Sequence, residues 1–134
     1  MDIAERLRAA RLRPTRQRVA LARLLFDGCD RHVTAELLHE EAQSRKVPVS
    51  LATVYNTLHQ FTEAGLLREV AVEGAKTYFD TNTSNHYHFF CENSGELMDI
   101  ETASIRIEGL PEAPHGMSIS RIDVLVRLVS DRKR

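Results

Sequence analysis

Apolar residues recur at steps of three and four through the first half of the chain, which is the period of amphipathic helices. Three of the four apolar runs begin next to a Thr or Ser that can cap a helix N-terminus. The pattern therefore predicts four helices in succession. They lie over residues 2–12, ended by Pro14; 16–26, capped by Thr15; 35–45, capped by Thr34; and 51–64, capped by Ser50 and ended by Gly65.

The fourth predicted helix has the most regular period. Leu51, Val54, Leu58 and Phe61 repeat at i, i+3, i+7 and i+10 and are predicted to face the core. The opposite face carries an aromatic ring and two amides, which can contact base edges, although any solvated helix face is also polar. The outward positions are Ala52, Tyr55, Asn56, His59, Gln60 and Glu63.

After Gly65 the period changes from helical to that of strands. Residues 66–72 and 76–80 are short runs rich in Val, Thr, Tyr and Phe, and residues 73–75 have turn character, so the pattern predicts a hairpin. Helices followed by a hairpin are typical of a winged helix-turn-helix domain, whose second helix enters the major groove of DNA. Residues 81–85 are small and polar and predict a hinge.

A second module follows the hinge. Apolar and polar residues alternate there in short runs, which indicates strands with one short helix among them, and the chain ends in a charged tail that is expected to fray. The predicted strands are residues 86–91, 96–100 and 117–129, the helix is 102–107, and the tail is 131–134.

The predicted fold class is therefore α+β. A winged helix-turn-helix domain over residues 1–80 is joined by the hinge 81–85 to a small α/β domain over residues 86–134. Each module is too small to bury a large hydrophobic core by itself, and pairing with a second chain would add buried apolar area. The C-terminal module is thus expected to dimerise and to carry a sensor.

Charge is distributed unevenly along the chain. The composition, 43% hydrophobic and 28% charged residues with a net charge of -1, is that of a soluble globular protein. However, seven arginines and no acidic residue lie from Arg6 to Arg23. Such a cluster is the usual footprint of DNA phosphate contacts, although it is also compatible with a solvated helix face. No signal peptide or membrane span is evident, so a cytoplasmic location without a membrane partner is expected.

Histidines and carboxylates supply the densest candidate chemistry. His86 and His88 are separated by one residue in a predicted strand. Because side chains of a strand alternate between its two faces, both imidazoles are predicted to lie on the same face. His32, Asp80 and Asp99 stand near predicted element boundaries from which they could converge on the same site. Imidazole with carboxylate suits iron, manganese or zinc, whereas ordinary surface histidines are the alternative.

The remaining histidines and the cysteines carry less information. His39, His59 and His115 are interpreted as ordinary surface residues. Cys29 and Cys91 are far apart in sequence, which predicts neither a disulfide framework nor a thiolate zinc site.

Four segments in family-like order and spacing give a resemblance that covers nearly the whole chain. They read RPTRQRVALARLL, HVTAELLHEEA, VSLATVYNTLHQFTEAGLL and HYHFFC. With these the chain resembles the ferric uptake regulator superfamily of bacterial metal-sensing repressors. The resemblance implies a homodimer that binds palindromic A/T-rich double-stranded DNA. It implies that Tyr55 lies on the recognition helix and that Arg18 and Arg13 lie near the DNA backbone or minor groove. The full set of predicted DNA-contacting residues is Arg13, Arg16, Arg18, Ser50, Ala52, Thr53, Tyr55 and Asn56.

The resemblance also implies one regulatory metal site that joins the two domains. Its ligand positions fall on His32, Asp80, His86, His88 and Asp99, all of which are competent ligands.

The chain departs from the family pattern at other metal positions. The CxxC motif of the structural zinc reads CENSG here, with Cys91 kept and Ser94 in the second place, so no structural zinc held by four cysteines is expected. A further family site falls on residues that cannot form it: Asn85, Tyr87, Arg106 and Ile122.

In these departures, in the segment GELMDI and in its short C-terminus, the chain resembles the haem-responsive iron response regulator branch of rhizobia and relatives. That resemblance implies a repressor of iron and haem homeostasis genes, active at low iron and inactivated by haem. Cys29 is not followed by proline, so a haem site would be histidine-based. The candidate haem ligands are His86, His88, His32 and His115.

Three alternatives remain open. The same ligand set occurs in the peroxide-sensing branch of the superfamily, where bound iron oxidises a ligand histidine. A metal held by two histidines and a carboxylate could serve an enzyme, but no nucleophile constellation or phosphate loop accompanies it. A helical interaction module without a DNA role is the third, and it predicts that Tyr55 and Asn56 are dispensable for partner binding.

Overall fold

The computed structural model divides the chain into two units, Met1–Thr83 and Ser84–Arg134. Residues 2–72 and 74–131 are described. Both units combine helical and strand segments, and the predicted α+β class is confirmed. The elements of the first unit are α1 Ile3–Ala9, α2 Arg16–Phe26, β1 His32–Val33, α3 Ala35–Ser44, α4 Leu51–Glu63, β2 Arg68–Ala71 and β3 Thr77–Asp80.

Side-chain caps start the helices of the first unit where the sequence places them. The hydroxyl of Thr15 accepts the Arg18 N–H at 3.2 Å. Thr34 and Ser50 cap α3 and α4 in the same way, each by accepting a backbone N–H from three residues ahead. These bonds satisfy donors that have no partner within the helix, and the predicted caps are confirmed.

Three helices end in the same backbone motif. After α4, Gly65 has φ 84° and the Leu66 N–H donates to the Phe61 carbonyl at 2.8 Å. This is a Schellman motif, in which a left-handed residue closes the last turn. The same motif follows α1 and α3, but there the left-handed residues are Arg11 (φ 63°) and Lys46 (φ 58°).

The core of the first unit lies among the four helices and the sheet, and it differs from the sequence prediction at one position of α4. Val54, Leu58 and Phe61 are fully buried, as predicted. Leu51, however, is 39% exposed, whereas Thr57 is buried. The buried positions of α4 begin at Val54, one turn after the helix starts, so the first turn carries no core residue.

The hairpin of the first unit is part of a three-stranded antiparallel sheet of order β1-β3-β2. The predicted strands are confirmed as β2 and β3, and the Ala75 N–H closes their turn on the Val72 carbonyl at 3.0 Å. Of the predicted turn 73–75, Glu73 lies outside the described residues. The sequence did not predict β1, which pairs His32 with Asp80.

The second unit contains one sheet of order β5-β4-β6, in which β4 is antiparallel to β5 and parallel to β6. Its elements are β4 Tyr87–Cys91, β5 Leu97–Ile100, a 3-10 helix Thr102–Ser104 and β6 Leu125–Leu128.

Two predictions for the second unit were too long. The predicted helix 102–107 is only the single 3-10 turn Thr102–Ser104, because the backbone is already extended at Ile105. The predicted strand 117–129 is reduced to Leu125–Leu128, which pairs in parallel with residues 88–91 of β4. Of the predicted frayed tail, residues 132–134 lie outside the described residues. None of the helices in residues 2–72 and 74–131 has the length and apolar character of a membrane span.

Candidate DNA-reading helix and metal-ligand groups

The outer face of α4 is exposed as predicted. Ala52, Tyr55, Asn56 and the three later outward positions are all accessible to solvent. The ring of Tyr55 packs edge-on against Phe79 at 6.4 Å between centroids, which braces it against the sheet. Ser50 accepts the Thr53 N–H at 3.1 Å and donates its hydroxyl proton to Thr53 Oγ1 at 3.0 Å, which fixes the first turn of the helix.

A groove of about 410 Å³ lies between the N-terminal end of α2 and the outer face of α4. Arg13, Arg18, Thr53 and Asn56 all line it, so the structure brings together four of the eight predicted DNA-contacting residues. The other four do not line this groove. They are Arg16 at the start of α2, Ser50 at the cap of α4, and Ala52 and Tyr55 on its outer face.

The arginine cluster is not one uniform surface. The guanidinium of Arg6 stacks on the Phe26 ring at 4.0 Å, which gives it a packing role within the unit. Arg18 is half-buried, and its guanidinium is bonded to Gln60 and to the Arg13 carbonyl. Exposed cations remain for a polyanion to contact, among them Arg8, Arg11, Arg13, Arg16 and Arg23.

In the first unit, one predicted ligand pair is formed by strand pairing. His32 on β1 lies opposite Asp80 on β3, and His32 Nε2 is 3.2 Å from Asp80 Oδ2. Asp80 is 1% exposed, and its Oδ1 accepts the Asn82 N–H at 2.9 Å. The carboxylate is therefore oriented by the backbone that follows β3.

In the second unit, three predicted ligands converge. His86 Nε2 and His88 Nε2 lie 3.2 and 3.5 Å from the same Asp99 oxygen, and the donor atoms of these residues lie within 4.8 Å of one another. Both imidazoles are buried, with 6% and 4% exposure. The β4–β5 register places His88 opposite Asp99, and His86 lies immediately before β4.

The environment of His86 prepares it for a metal. Its Nδ1 is 2.7 Å from the Ser84 carbonyl oxygen, and a carbonyl can only accept, so Nδ1 donates. In the neutral ring the proton is then on Nδ1, and Nε2 keeps its lone pair toward Asp99 and His88. Metal-ligating histidines are commonly held by such a second hydrogen bond.

The two cysteines and His115 lie outside the two candidate ligand groups. Cys91 and Cys29 are free thiols. Hydrogen bonds to the Cys91 sulfur hold the pKa of its thiol below the usual value. The largest effect comes from the Ser94 hydroxyl, and smaller effects come from the backbone N–H groups of Ser94 and Asn93. His115, a predicted haem candidate, is exposed at a turn.

A comparison with known families decides what kind of protein this is. Residues 9–126 match the ferric uptake regulator family. The chain belongs to the ferric uptake regulator family. This is a family of transcriptional regulators, which argues against the enzyme interpretation.

Relatives within the ferric uptake regulator family include two named for peroxide. The "Peroxide-responsive repressor PerR" of Staphylococcus epidermidis is 37% identical over 69% of this chain and 61% of that protein, so the chain spans less than two thirds of its length. The "Peroxide operon regulator" of Bacillus subtilis is 32% identical over 88% of this chain and 86% of that protein. Their names favour the metal- or peroxide-sensing alternative over the haem-responsive interpretation.

A solved member of the family has the same fold. The ferric uptake regulator from Pseudomonas aeruginosa, determined with manganese, aligns over 98% of this chain and 100% of its own, with a TM-score of 0.75 and 25% sequence identity. The match extends over both units of the chain. The predicted architecture of an N-terminal DNA-binding domain and a C-terminal α/β dimerisation domain is confirmed at this level.

Proposed function

We propose that the protein is a repressor whose affinity for DNA is set by a divalent metal at His32, Asp80, His86, His88 and Asp99. The observation that carries the proposal is the convergence of His86 Nε2 and His88 Nε2 on one Asp99 oxygen. Two imidazoles and a carboxylate match the preferences of iron, manganese and zinc. The Ser84 carbonyl supports the assignment, because its hydrogen bond places the proton of a neutral His86 ring on Nδ1, so that Nε2 can act as a metal donor.

The pair His32 and Asp80 would supply the remaining ligands of the same metal. The pair offers two donor residues and the His86 group offers three, so the two groups together would supply five. The resemblance to the family supports a single shared ion. A metal that takes ligands from both units would couple metal occupancy to the placement of the DNA-reading helix α4.

DNA recognition would be carried by a homodimer on a palindromic A/T-rich operator. The groove between α2 and α4, with its arginines and its threonine and asparagine side chains, supports phosphate contacts at its edge. Asn56 and Tyr55 on the exposed face of α4 would contact adenine edges and thymine methyl groups. The further contacts proposed are those of Arg13, Arg16, Arg18, Ser50, Ala52 and Thr53.

Peroxide is the second signal that we propose for this centre. The two relatives named as peroxide regulators support it. When iron is bound, it would supply the redox chemistry that oxidises a ligand histidine, and loss of that ligand would release the operator.

Haem remains the competing ligand. The replacement of the second CxxC cysteine by Ser94 favours it, through the resemblance to the haem-responsive branch. The side-by-side imidazoles favour a small ion, because their centroids are 4.5 Å apart and both Nε2 atoms contact the same oxygen. A haem iron held by two histidines needs them on opposite faces of the porphyrin, so only one of the two could serve.

The decisive experiment measures binding to an A/T-rich palindromic duplex by fluorescence anisotropy at fixed salt, with Mn²⁺, Zn²⁺ or haem added. We expect Mn²⁺ or Zn²⁺ to tighten binding about tenfold or more, equal to roughly 1.4 kcal/mol of coupling, and the variant His86→Ala/His88→Ala to abolish this response. His115→Ala is the matched control, since that exposed histidine is outside the group.

Other outcomes would identify a different signal or contradict the proposal. Inert metals with a haem-induced loss of DNA affinity would establish the haem-responsive interpretation instead. Peroxide treatment of the Fe²⁺ form, followed by peptide mass spectrometry, should add one oxygen to His32, His86 or His88. If neither metal nor haem changes DNA binding, the sensor proposal is wrong.

A further inference from the structure

Gln60, on the outer face of α4, is bonded to an arginine of α2. Its Oε1 accepts from Arg18 Nε at 3.2 Å and from Arg18 Nη2 at 3.0 Å. A third bond runs from Arg18 Nη1 to the Arg13 carbonyl at 2.9 Å. The guanidinium is therefore held from two sides, by a side chain of α4 and by the backbone that precedes α2.

The bonds to Arg18 determine what Gln60 can offer to DNA. A glutamine reads adenine through its oxygen and its amide nitrogen together. The two lone pairs of Oε1 are already occupied by the two Arg18 N–H groups. Gln60 therefore cannot make that two-bond adenine contact while it holds Arg18, although its place on α4 predicts a base reader.

The bonds also determine what Arg18 can offer. A guanidinium carries five N–H donors, and three of those of Arg18 are engaged within the described part of the chain. Two remain, on a group that borders the groove shared with Thr53 and Asn56. A fixed guanidinium with free donors suits the oxygens of a phosphate.

We propose that Gln60 is a positioning residue, which locks the Arg18 guanidinium so that its remaining N–H groups bind a backbone phosphate of the operator. This proposal rests on the proposed function, since it requires the protein to bind duplex DNA. Gln60 itself makes no sequence-specific contact in this arrangement. Its bond to Arg18 instead connects α4, the helix that would enter the major groove of DNA, with the arginine that would contact the DNA backbone beside that groove.

The test compares Gln60→Met, Arg18→Ala and the double variant, each on an operator duplex and on a scrambled duplex over a series of KCl concentrations. Gln60→Met keeps the side-chain length and removes the hydrogen-bond acceptor. Asn56→Ala is the matched control, because it removes the neighbouring amide that is expected to read a base. Thermal unfolding of each variant verifies that it is folded.

We expect Arg18→Ala to weaken binding to both duplexes about tenfold and to lower the salt slope by about 1. Gln60→Met should weaken both duplexes alike, roughly threefold to tenfold, and should cause no further loss when Arg18 is already alanine. Asn56→Ala should weaken the operator complex more than the scrambled one.

Two outcomes would overturn the positioning role alone. In the first, Gln60→Met weakens only the operator complex, as a base reader would. In the second, the losses from Gln60→Met and Arg18→Ala add, as for independent contacts. If the unaltered protein binds neither duplex, with or without metal, the proposed function itself fails, which is a separate result.

Discussion

At the scale of single residues, Ser94 changes the chemistry of Cys91. In the family pattern a cysteine at this position would share a zinc ion with Cys91. Here the Ser94 hydroxyl donates a hydrogen bond to the sulfur and is the main cause of the lowered pKa of the Cys91 thiol. Hydrogen bonds to the thiolate favour the charged form, so a larger fraction of Cys91 is reactive at neutral pH.

Substitution of Ser94 tests this effect. In a Cys29→Ser background, Ser94→Ala should raise the pKa of Cys91 and slow its alkylation at pH 7 by roughly twofold to tenfold. Because only the thiolate reacts, the curve of rate against pH should move to higher pH. Ser94→Thr keeps the hydroxyl and should leave the curve nearly in place. An identical curve for Ser94→Ala would show that the hydroxyl has no influence on the thiol.

Single residues also show how far the candidate site could be predicted. The pair His86 and His88 followed from strand period alone, since alternate residues share one face. The approach of His32 to Asp80 did not, because it depends on a two-residue strand that carries too little pattern to recognise. The role of Gln60 was also hidden, since its bond to Arg18 joins side chains far apart in sequence.

At the scale of elements, capping residues and helical period were sufficient to predict all four helices of the first unit. The second unit was less predictable, because the length of a strand is set by its neighbours. Residues 117–124 alternate like a strand, but the pairing with β4 is confined to Leu125–Leu128. Leu51 illustrates the same limit for helices: the period placed it inside, but the core begins one turn later.

The repeated Schellman motif gives a prediction about helix ends. Gly65→Ala should destabilise the protein by about 1 kcal/mol, because a β-carbon is disfavoured at its left-handed φ. Lys46→Gly should have the opposite sign and stabilise by roughly 0.5–1 kcal/mol, since it relieves the same strain after α3. Urea unfolding of both variants measures the difference. Equal signs for the two substitutions would contradict the shared cause.

At the scale of the whole molecule, the proposed homodimer agrees with the apolar surface of the second unit. Leu110, Met117 and Ile119 are exposed at 52%, 70% and 52%, and all lie in an extended stretch without regular structure. Exposed apolar residues that form a patch mark interaction sites in soluble proteins. A second copy of the chain would cover them, and pairing also matches two reading helices to a palindrome.

A charge within that stretch should separate the protomers. Ile119→Asp is expected to shift the protein toward monomer in light scattering coupled to size exclusion. It should also weaken operator binding about a hundredfold, because the two half-sites are then no longer engaged together. Asn93→Asp, which adds the same charge at a turn outside residues 105–124, is the control and should remain dimeric. A dimer that persists in Ile119→Asp would place the interface elsewhere.

The pairing of β1 with β3 also has a consequence for synthesis of the chain. Residues 31–33 meet residues 79–81, about fifty positions later, through strand pairing and through three hydrogen bonds between Arg31 and Thr81. Helices form from near neighbours and can appear early, whereas a contact of this span must wait for the later strand. As the chain leaves the ribosome, His32 and Asp80 are thus among the last residues of the first unit to meet. An ion bound by these two residues would therefore stabilise a first unit that has already folded.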